Sequence, residues 1–291
     1  MKIKELLQQN TLSLSFEVFP PKTESGFDSV RTATEEIARL RPSFMSVTYG
    51  AGGGTSHYTL DIAKNIKEQY GVPTVAHLTC VSSTRATVAE KIAAIRDAGI
   101  ENVLALRGDI PKGMENADRS GWDYRYAIDL IRELKAAGDF CVGGACYPEI
   151  HPESHNQAED IAHLKEKVDA GCDFLTTQMF FDNNLLYNFL YKIRQSGIDV
   201  PIIPGVMPIT NGNQVARAID LSGSFVPQRF KSLVDKFGED PAAMKQAGIA
   251  YATDQIIDLF ANGINHVHVY SMNKPDVAAK ILENLSDMLG K

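Results

Sequence analysis

The chain alternates short apolar runs with longer stretches in which apolar residues recur at helical spacing. The runs have the length of strands, and the stretches between them are long enough for amphipathic helices. Because parallel strands must be joined by crossover connections, which usually carry a helix, this alternation predicts a parallel sheet. The predicted strands are residues 12–19, 44–49, 74–80, 102–108, 140–147, 174–181, 202–207 and 266–271.

Helices are predicted between these strands, and several end at a glycine in a C-cap position, such as Gly99, Gly138, Gly171 and Gly197. The interval before the last strand is the longest and holds more than one helical segment. An inserted helix there is expected to crowd the mouth of a barrel. The predicted helices are residues 30–40, 87–98, 124–137, 158–170, 185–195, 213–221, 227–237 and 241–262.

Eight strand-helix units in 291 residues predict an eight-fold (β/α)8 TIM barrel, for which about 250 residues are typical. We expect a single domain over residues 1–291, with extra helices before the last strand. A doubly wound open sheet is the alternative. The glycine cluster at residues 50–54 lacks a convincing Gly-x-Gly-x-x-Gly spacing, and no suitably placed acidic strand end follows it, so the barrel is preferred.

Glu17 is the only charged residue in the first apolar run. Side chains alternate along a strand, so Glu17 shares a mostly polar face with Ser13 and Ser15. That face suits a lined cavity, and burial there should raise the pKa of the carboxyl group toward the range of a general acid. A buried ion pair with an inward-facing Lys or Arg is the competing interpretation.

Composition narrows the class of partner. The net charge is −7 without a dense Lys/Arg cluster, so nucleic acid is not expected and small molecules are favoured. No apolar stretch approaches the roughly 20 residues of a membrane span, and the start lacks the features of a signal peptide, so we expect a cytoplasmic protein. The four cysteines form no Cys-x-x-Cys pair, which indicates reduced, buried thiols.

Polar residues are frequent at the carboxyl ends of the predicted strands, where barrels place their functional sites. Arg107 and Asp109 could simply pair with each other, and His77 could be a hydrogen-bonded core histidine. His266 and His268 have the spacing seen in barrel metallohydrolases, although no further ligand set supports a metal.

Eight motifs along residues 12–274 together resemble the methylenetetrahydrofolate reductase family in its short bacterial form. They occur in the family's order, and the combination is far more specific than any one of them. The motifs are residues 15–22 (SFEVFPPK), 46–51 (SVTYGA), 77–80 (HLTC), 105–109 (ALRGD), 145–153 (ACYPEIHPE), 167–171 (KVDAG), 177–182 (TQMFFD) and 204–208 (PGVMP).

The resemblance implies a barrel that binds FAD, takes a hydride from NADH and reduces 5,10-methylenetetrahydrofolate to 5-methyltetrahydrofolate. The two substrates would use the flavin in turn, and the product would supply methyl groups for methionine synthesis. Family members associate, so we expect a homo-oligomer. The chain ends before the regulatory domain that longer relatives carry, so no such domain is expected.

The resemblance also assigns site residues. Glu17 corresponds to the acid that protonates N10 of the folate, and Asp109 to the carboxylate between flavin and pterin. The substrate-binding residues so implied are Asp109, Gln178, Gln214 and Lys274. The implied cofactor-binding residues, counting NADH with FAD, are Thr48, Tyr49, Ala51, His77, Arg107, Gly108, Asp109, Ala127, Tyr147, His151, Asp160, His163 and Lys167.

The chain departs from the enterobacterial pattern at four positions. Lys274 and Glu166 each stand where that pattern has Arg, His163 where it has Asn, and Ala218 where it has an aromatic residue. Two other classes stay open: a metal-dependent barrel hydrolase, and a pterin-binding barrel that needs no flavin. The implied FAD contacts argue against both.

Overall fold

Nine parallel strands form a nearly closed barrel in the computed structural model, which describes residues 1–21, 23–49, 56–110, 113, 114, 118 and 121–290. The strands are β1 Ser13–Val18, β2 Met45–Val47, β3 Thr74–Thr79, β4 Asn102–Leu106, β5 Cys141–Cys146, β6 Phe174–Thr177, β7 Ile202–Ile203, β8 Gly205–Val206 and β9 His266–Val269. Their order in the sheet is β7-β6-β5-β4-β3-β2-β1-β9-β8. The barrel expectation is therefore confirmed.

The seventh predicted strand is split in two at Pro204, which is the one correction to the strand count. β7 pairs with β6, and β8 pairs with β9. Proline has no N–H to donate to a ladder, so it interrupts the strand. The Pro204 carbonyl still accepts from His268 N at 2.8 Å, and the continuous chain from β7 to β8 joins the two edges of the sheet.

The predicted helices surround the barrel in the predicted order, and two helices that the sequence analysis did not give, residues 56–70 and 275–284, join them. The helices of eight or more residues are α2 Phe27–Arg39, α3 Ser56–Tyr70, α4 Arg85–Asp97, α5 Ala127–Ala137, α6 Gln157–Asp169, α7 Asn183–Gln195, α8 Asn213–Ser222, α9 Gln228–Phe237, α10 Pro241–Ala261 and α11 Pro275–Asn284. The shorter ones are α1 Ile3–Leu6, a 3₁₀ turn at Glu24–Gly26, and α12 Ser286–Leu289. In the part of the chain that the structure describes, no helix is long and apolar enough to cross a membrane.

The alternation predicted for β1 is observed. Leu14, Phe16 and Val18 are buried in the main core between sheet and helices. Ser13, Ser15 and Glu17 take the other face, toward the barrel interior. All four cysteines are buried and free, as their apolar settings predicted.

The floor of the barrel is closed by α1, which the sequence analysis did not identify. Ile3, Leu6 and Leu7 pack into a second apolar cluster with lumen residues such as Phe44 and Phe174. Four residues are too short for a clear amphipathic period, so no sequence signal marked this helix. It leaves the carboxyl ends of the strands as the open end of the barrel.

The inserted helices lie at that open end, as expected. α8 and α9 fall between β8 and α10 in the chain, and Ala218 and Phe230 from them pack with Met179, Ile209 and Met244 in a third cluster. This cluster forms one wall above the barrel, so the insertion shapes the mouth of the site.

Candidate functional site

A cavity of about 1610 Å³ opens at the carboxyl ends of the strands and reaches into the barrel. Nearly every residue that the sequence assigned to the site lines it. The assigned residues that line the cavity are Glu17, Thr48, Tyr49, His77, Arg107, Gly108, Asp109, Ala127, Tyr147, His151, Asp160, His163, Lys167, Gln178 and Gln214. Residues far apart in sequence thus meet in one place, while their roles stay predictions.

Two assigned residues are not part of the described cavity wall. Ala51 lies outside the described residues. Lys274 is not among the residues that line the cavity, but its Nζ donates to the Thr210 hydroxyl at 2.6 Å. Thr210 N in turn donates to Gln214 Oε1 at 2.9 Å, so Lys274 is linked to the cavity wall through one intervening residue.

Glu17 projects from β1 toward the cavity and keeps 22% of its side chain exposed there. Its Oε2 atom lies 3.4 Å from the Ser46 hydroxyl, 3.6 Å from His77 Nε2 and 3.9 Å from His268 Nε2. Among the described residues, its neighbours at ion-pair distance are these two histidines rather than a Lys or Arg. The structure therefore favours the cavity acid over the buried ion pair.

The electrostatics of this cluster keep its members neutral. Burial raises the pKa of Glu17 to about 8, and the hydrogen bond from Ser46 offsets this only in part. Burial lowers the pKa of His77 to about 3, and that of His268 also to about 3 with a small contribution from His77. Near neutral pH, Glu17 is thus a carboxylic acid beside two uncharged imidazoles, which is the form that can donate a proton.

The histidines of β9 are held by serines. Ser13 Oγ lies 2.7 Å from His266 Nδ1, and Ser15 Oγ lies 2.7 Å from His268 Nδ1. Ser46 Oγ lies 2.9 Å from the other ring nitrogen of His268. In the described part of the chain, no group of three His, Cys, Asp or Glu is placed to hold a metal ion. We therefore interpret His266 and His268 as hydrogen-bonded residues of the barrel interior and not as metal ligands.

Arg107 forms an ion pair with Glu153. The sequence had suggested a pair between Arg107 and Asp109, and the structure corrects this. Its two terminal nitrogens contact the Glu153 carboxylate at 2.5 and 2.7 Å, and the pair raises the pKa of Arg107. Asp109 is exposed toward the cavity. Gly108 between them has φ 89°, and a Cβ there would lie 2.9 Å from Thr79. Only glycine gives the chain this turn at the end of β4.

The loop after β5 is tied to the first turn of α6. Asp160 accepts from His151 N at 3.1 Å and from the Ser154 hydroxyl at 3.4 Å. His151 Nδ1 accepts from Glu153 N at 3.1 Å, and the ring packs edge-on against Tyr147 at 4.7 Å. Burial lowers the pKa of His151, so the ring is neutral and its remaining nitrogen, Nε2, carries the proton.

Several polar groups in the cavity wall have either no hydrogen-bond partner or a single contact among the described residues. Tyr49 OH and His77 Nε2 are buried without a hydrogen-bond partner within the described ranges. Buried polar atoms are normally satisfied, so these two are available to a ligand. Lys167 Nζ donates to Ala145 O at 2.6 Å, and burial lowers its pKa. Lys91 lies 4.8 Å above the Tyr49 ring.

Sequence reasoning did not assign several lining residues to this site, among them Ser46, Glu153, His268 and Lys91. Ser46 and Glu153 lie inside motifs that carried the resemblance, and His268 was considered only as a metal ligand. Lys91 sits mid-helix on α4, where a lysine gives no signal that separates it from a solvated surface residue. At the position of the missing aromatic, Ala218 is buried beside Met179 and both reach the cavity wall.

Comparison with known proteins agrees with this geometry. The family model described as methylenetetrahydrofolate reductase matches residues 2–286. Methylenetetrahydrofolate reductase (NADH) 1 of Arabidopsis thaliana is 35% identical over 98% of this chain and 50% of its own length. The 5,10-methylenetetrahydrofolate reductase of Escherichia coli is 34% identical over 95% of this chain and 92% of its own. The chain thus spans half of the plant relative and most of the bacterial one.

A solved structure supports the fold alone. It is an uncharacterized protein from Clostridium thermocellum described as binding two copies of 5-methyl-5,6,7,8-tetrahydrofolic acid, with a TM-score of 0.64, 13% identity and full coverage of both chains. Fold and cavity together define an α/β-barrel protein with a large binding site at the carboxyl ends of its strands. More narrowly, the chain belongs to the methylenetetrahydrofolate reductase family.

Proposed function

We propose that this protein reduces 5,10-methylenetetrahydrofolate to 5-methyltetrahydrofolate, with FAD as its redox cofactor and NADH as electron donor. The observation that carries the proposal is the neutral acid Glu17 facing a large cavity, in a chain of this family. Reduction of a methylene bridge between two nitrogens needs a proton on the nitrogen that leaves. A carboxylic acid whose pKa is about 8 can supply that proton near neutral pH.

The residues of the cavity fit FAD. Arg107 and Lys167 supply cations for phosphates, and Ala127 places the N-terminus of α5 at the cavity wall, where the helix dipole favours an anion. Tyr49 OH and His77 Nε2, which accept or donate no hydrogen bond among the described residues, supply polar partners deeper in the site. Bound flavin would supply a hydride carrier between NADH and the folate.

Two carboxyl groups, those of Glu17 and Asp109, would then have different roles because their surroundings differ. Glu17, largely buried and neutral, would hold the proton for N10 of the folate. Asp109, exposed to the cavity at the end of β4, is suited to accept from a pterin ring and to stabilise positive charge. Such a division between a buried acid and a solvated carboxylate is a recurrent way to place acid and charge in one site.

The cavity wall also carries the residues proposed to contact the substrates. Gln178 and Gln214 line the cavity, and Lys274 braces Gln214 through Thr210. We propose that the folate and NADH occupy this wall alternately, in a ping-pong sequence, and that residues 1–291 act as one catalytic barrel. The product would supply methyl groups for methionine synthesis, and self-association stays an expectation from the family.

The test is an anaerobic absorption experiment on protein reconstituted with FAD. NADH should bleach the flavin band, and 5,10-methylenetetrahydrofolate should restore it. A protein that takes up no FAD and consumes no NADH would overturn the proposal. Bleaching by NADH without recovery on adding the folate would leave a flavin reductase whose acceptor is another compound, and this also contradicts the proposal.

A further inference from the structure

Glu153 is the feature of the cavity wall that the proposed function does not explain. It is an acidic residue in a region proposed to bind phosphates, and it contacts the cation meant for them. The contact is bidentate, with Nη1 of Arg107 2.5 Å from Oε2 and Nη2 2.7 Å from Oε1. Planar guanidinium and carboxylate groups match in this geometry, which fixes orientation as well as distance.

The backbone of Glu153 is itself held in place. Its N–H donates to His151 Nδ1, and Ser154 N closes a turn onto His151 O at 2.9 Å. Asp160, in the first turn of α6, accepts from both ends of this turn. Helix α6 therefore holds the turn at residues 151–154 in place, and this turn positions the Glu153 carboxylate that binds Arg107. All five residues of this network line the cavity, and three of them, Arg107, His151 and Asp160, were assigned to the cofactor.

The grip leaves Arg107 able to bind a second anion. A guanidinium has five N–H groups, and the described contacts use three: two on Glu153 and the Nε–H, which lies 3.3 Å from Gly108 O. The terminal nitrogens keep one N–H each. Arg107 is only 20% exposed, while Glu153 is 47% exposed, so solvent screens the carboxylate more than the guanidinium.

We propose that Glu153 is a positioning residue for the flavin phosphates, acting through Arg107. An unrestrained arginine must lose rotamer freedom when it grips a phosphate, and Glu153 imposes that order before the ligand arrives. The inference rests on the proposed function because it needs FAD as the ligand. In the opposite arrangement Glu153 competes with phosphate for Arg107. Removing Glu153 would then tighten FAD binding instead of weakening it.

The experiment measures the Kd of FAD for flavin-free protein by quenching of flavin fluorescence, in a double-mutant cycle. Glu153→Ala should weaken FAD binding by roughly two- to tenfold, the cost of ordering one long side chain on binding. Arg107→Ala should weaken it further, and the double variant should match Arg107→Ala alone, since the proposed effect of Glu153 on FAD passes through the arginine. Asp254→Ala breaks the exposed ion pair with Arg229 outside the cavity and serves as the matched control with unchanged Kd.

The outcomes distinguish positioning of Arg107 by Glu153 from competition between Glu153 and phosphate. Tighter binding in Glu153→Ala means competition and overturns the inference, as does a loss that adds in full to that of Arg107→Ala. Unchanged binding in Glu153→Ala, with wild-type protein binding FAD, removes the inference and leaves the proposed function standing. If wild-type protein binds no FAD, both fail together. Thermal unfolding of flavin-free Glu153→Ala should match wild type, which separates positioning from folding.

Discussion

At the scale of single residues, the chemistry of this site depends on where each carboxyl group lies. Glu17 is surrounded by Ser46 and two neutral histidines, and burial raises its pKa to about 8. Asp109, exposed to the cavity, lies just beyond the end of β4, three strands along the sheet from β1. The same functional group can therefore carry a proton at one position and a charge at the other.

Replacing Glu17 by Gln should separate the two half-reactions. Flavin reduction by NADH needs no proton from Glu17 and should keep its rate. Folate reduction should slow by about 10²- to 10⁴-fold, the usual contribution of a general acid. Stopped-flow absorbance measures both steps, and Glu36→Gln, on the exposed face of α2, is the control that should change neither. Equal losses in both steps would contradict the assignment.

The same variant should become relatively more stable as pH rises. The folded-state pKa of Glu17 is about 8, whereas an unfolded Glu titrates near about 4.3. Between these values the unfolded chain has released a proton that the folded protein keeps, so wild type loses stability with increasing pH. Glu17→Gln avoids this loss, at about 1.4 kcal/mol per pH unit at most. Urea unfolding of flavin-free protein at about pH 5 and about pH 8 measures it; a constant difference would exclude the buried acid.

At the scale of elements, the site depends on close approaches that single residues permit. The interruption at Pro204 places β8 against β9, and Gly205 then meets Tyr270. A Cβ on Gly205 would lie 2.4 Å from the Tyr270 hydroxyl and 2.6 Å from Thr177 O, the carbonyl to which that hydroxyl donates. The glycine thus lets the partly buried Tyr270, which lines the cavity, reach across to β6.

Gly205→Ala should therefore destabilise the protein by about 1–3 kcal/mol, the range for overpacking a filled interior. Urea unfolding gives the change in free energy. Gly121→Ala is the matched control, because a Cβ there meets no atom of the described residues within 4 Å and should alter stability by less than about 0.5 kcal/mol. If both variants unfold alike, the close packing around Tyr270 does not limit this position.

At the scale of the whole molecule, the barrel joins residues from β1 to β9 in one cavity of about 1610 Å³. A ligand that spans this cavity contacts most of the strands at once. Binding that exists only in the folded protein must then stabilise the entire barrel by mass action.

FAD should accordingly raise the unfolding temperature of the flavin-free protein. At a free concentration of about 100 times its Kd, the stabilisation should reach about 2.7 kcal/mol. Differential scanning fluorimetry or calorimetry over a series of FAD concentrations measures the shift. A chelator added in place of FAD is expected to leave the transition unchanged. A shift that depends on the chelator and not on FAD would favour the metal-dependent alternative.

The sequence by itself determined the periodic structure and the chemistry of individual residues. Alternation in β1 placed Glu17 on the inward face, and strand-helix repetition predicted the barrel, because these patterns are local. Tertiary structure decided the rest. Three features depend on residues distant in sequence. They are the break at Pro204, the closure of the barrel floor by α1, and the pairing of Arg107 with Glu153. Their partners are set by how strands stagger and loops fold back, which no local period encodes.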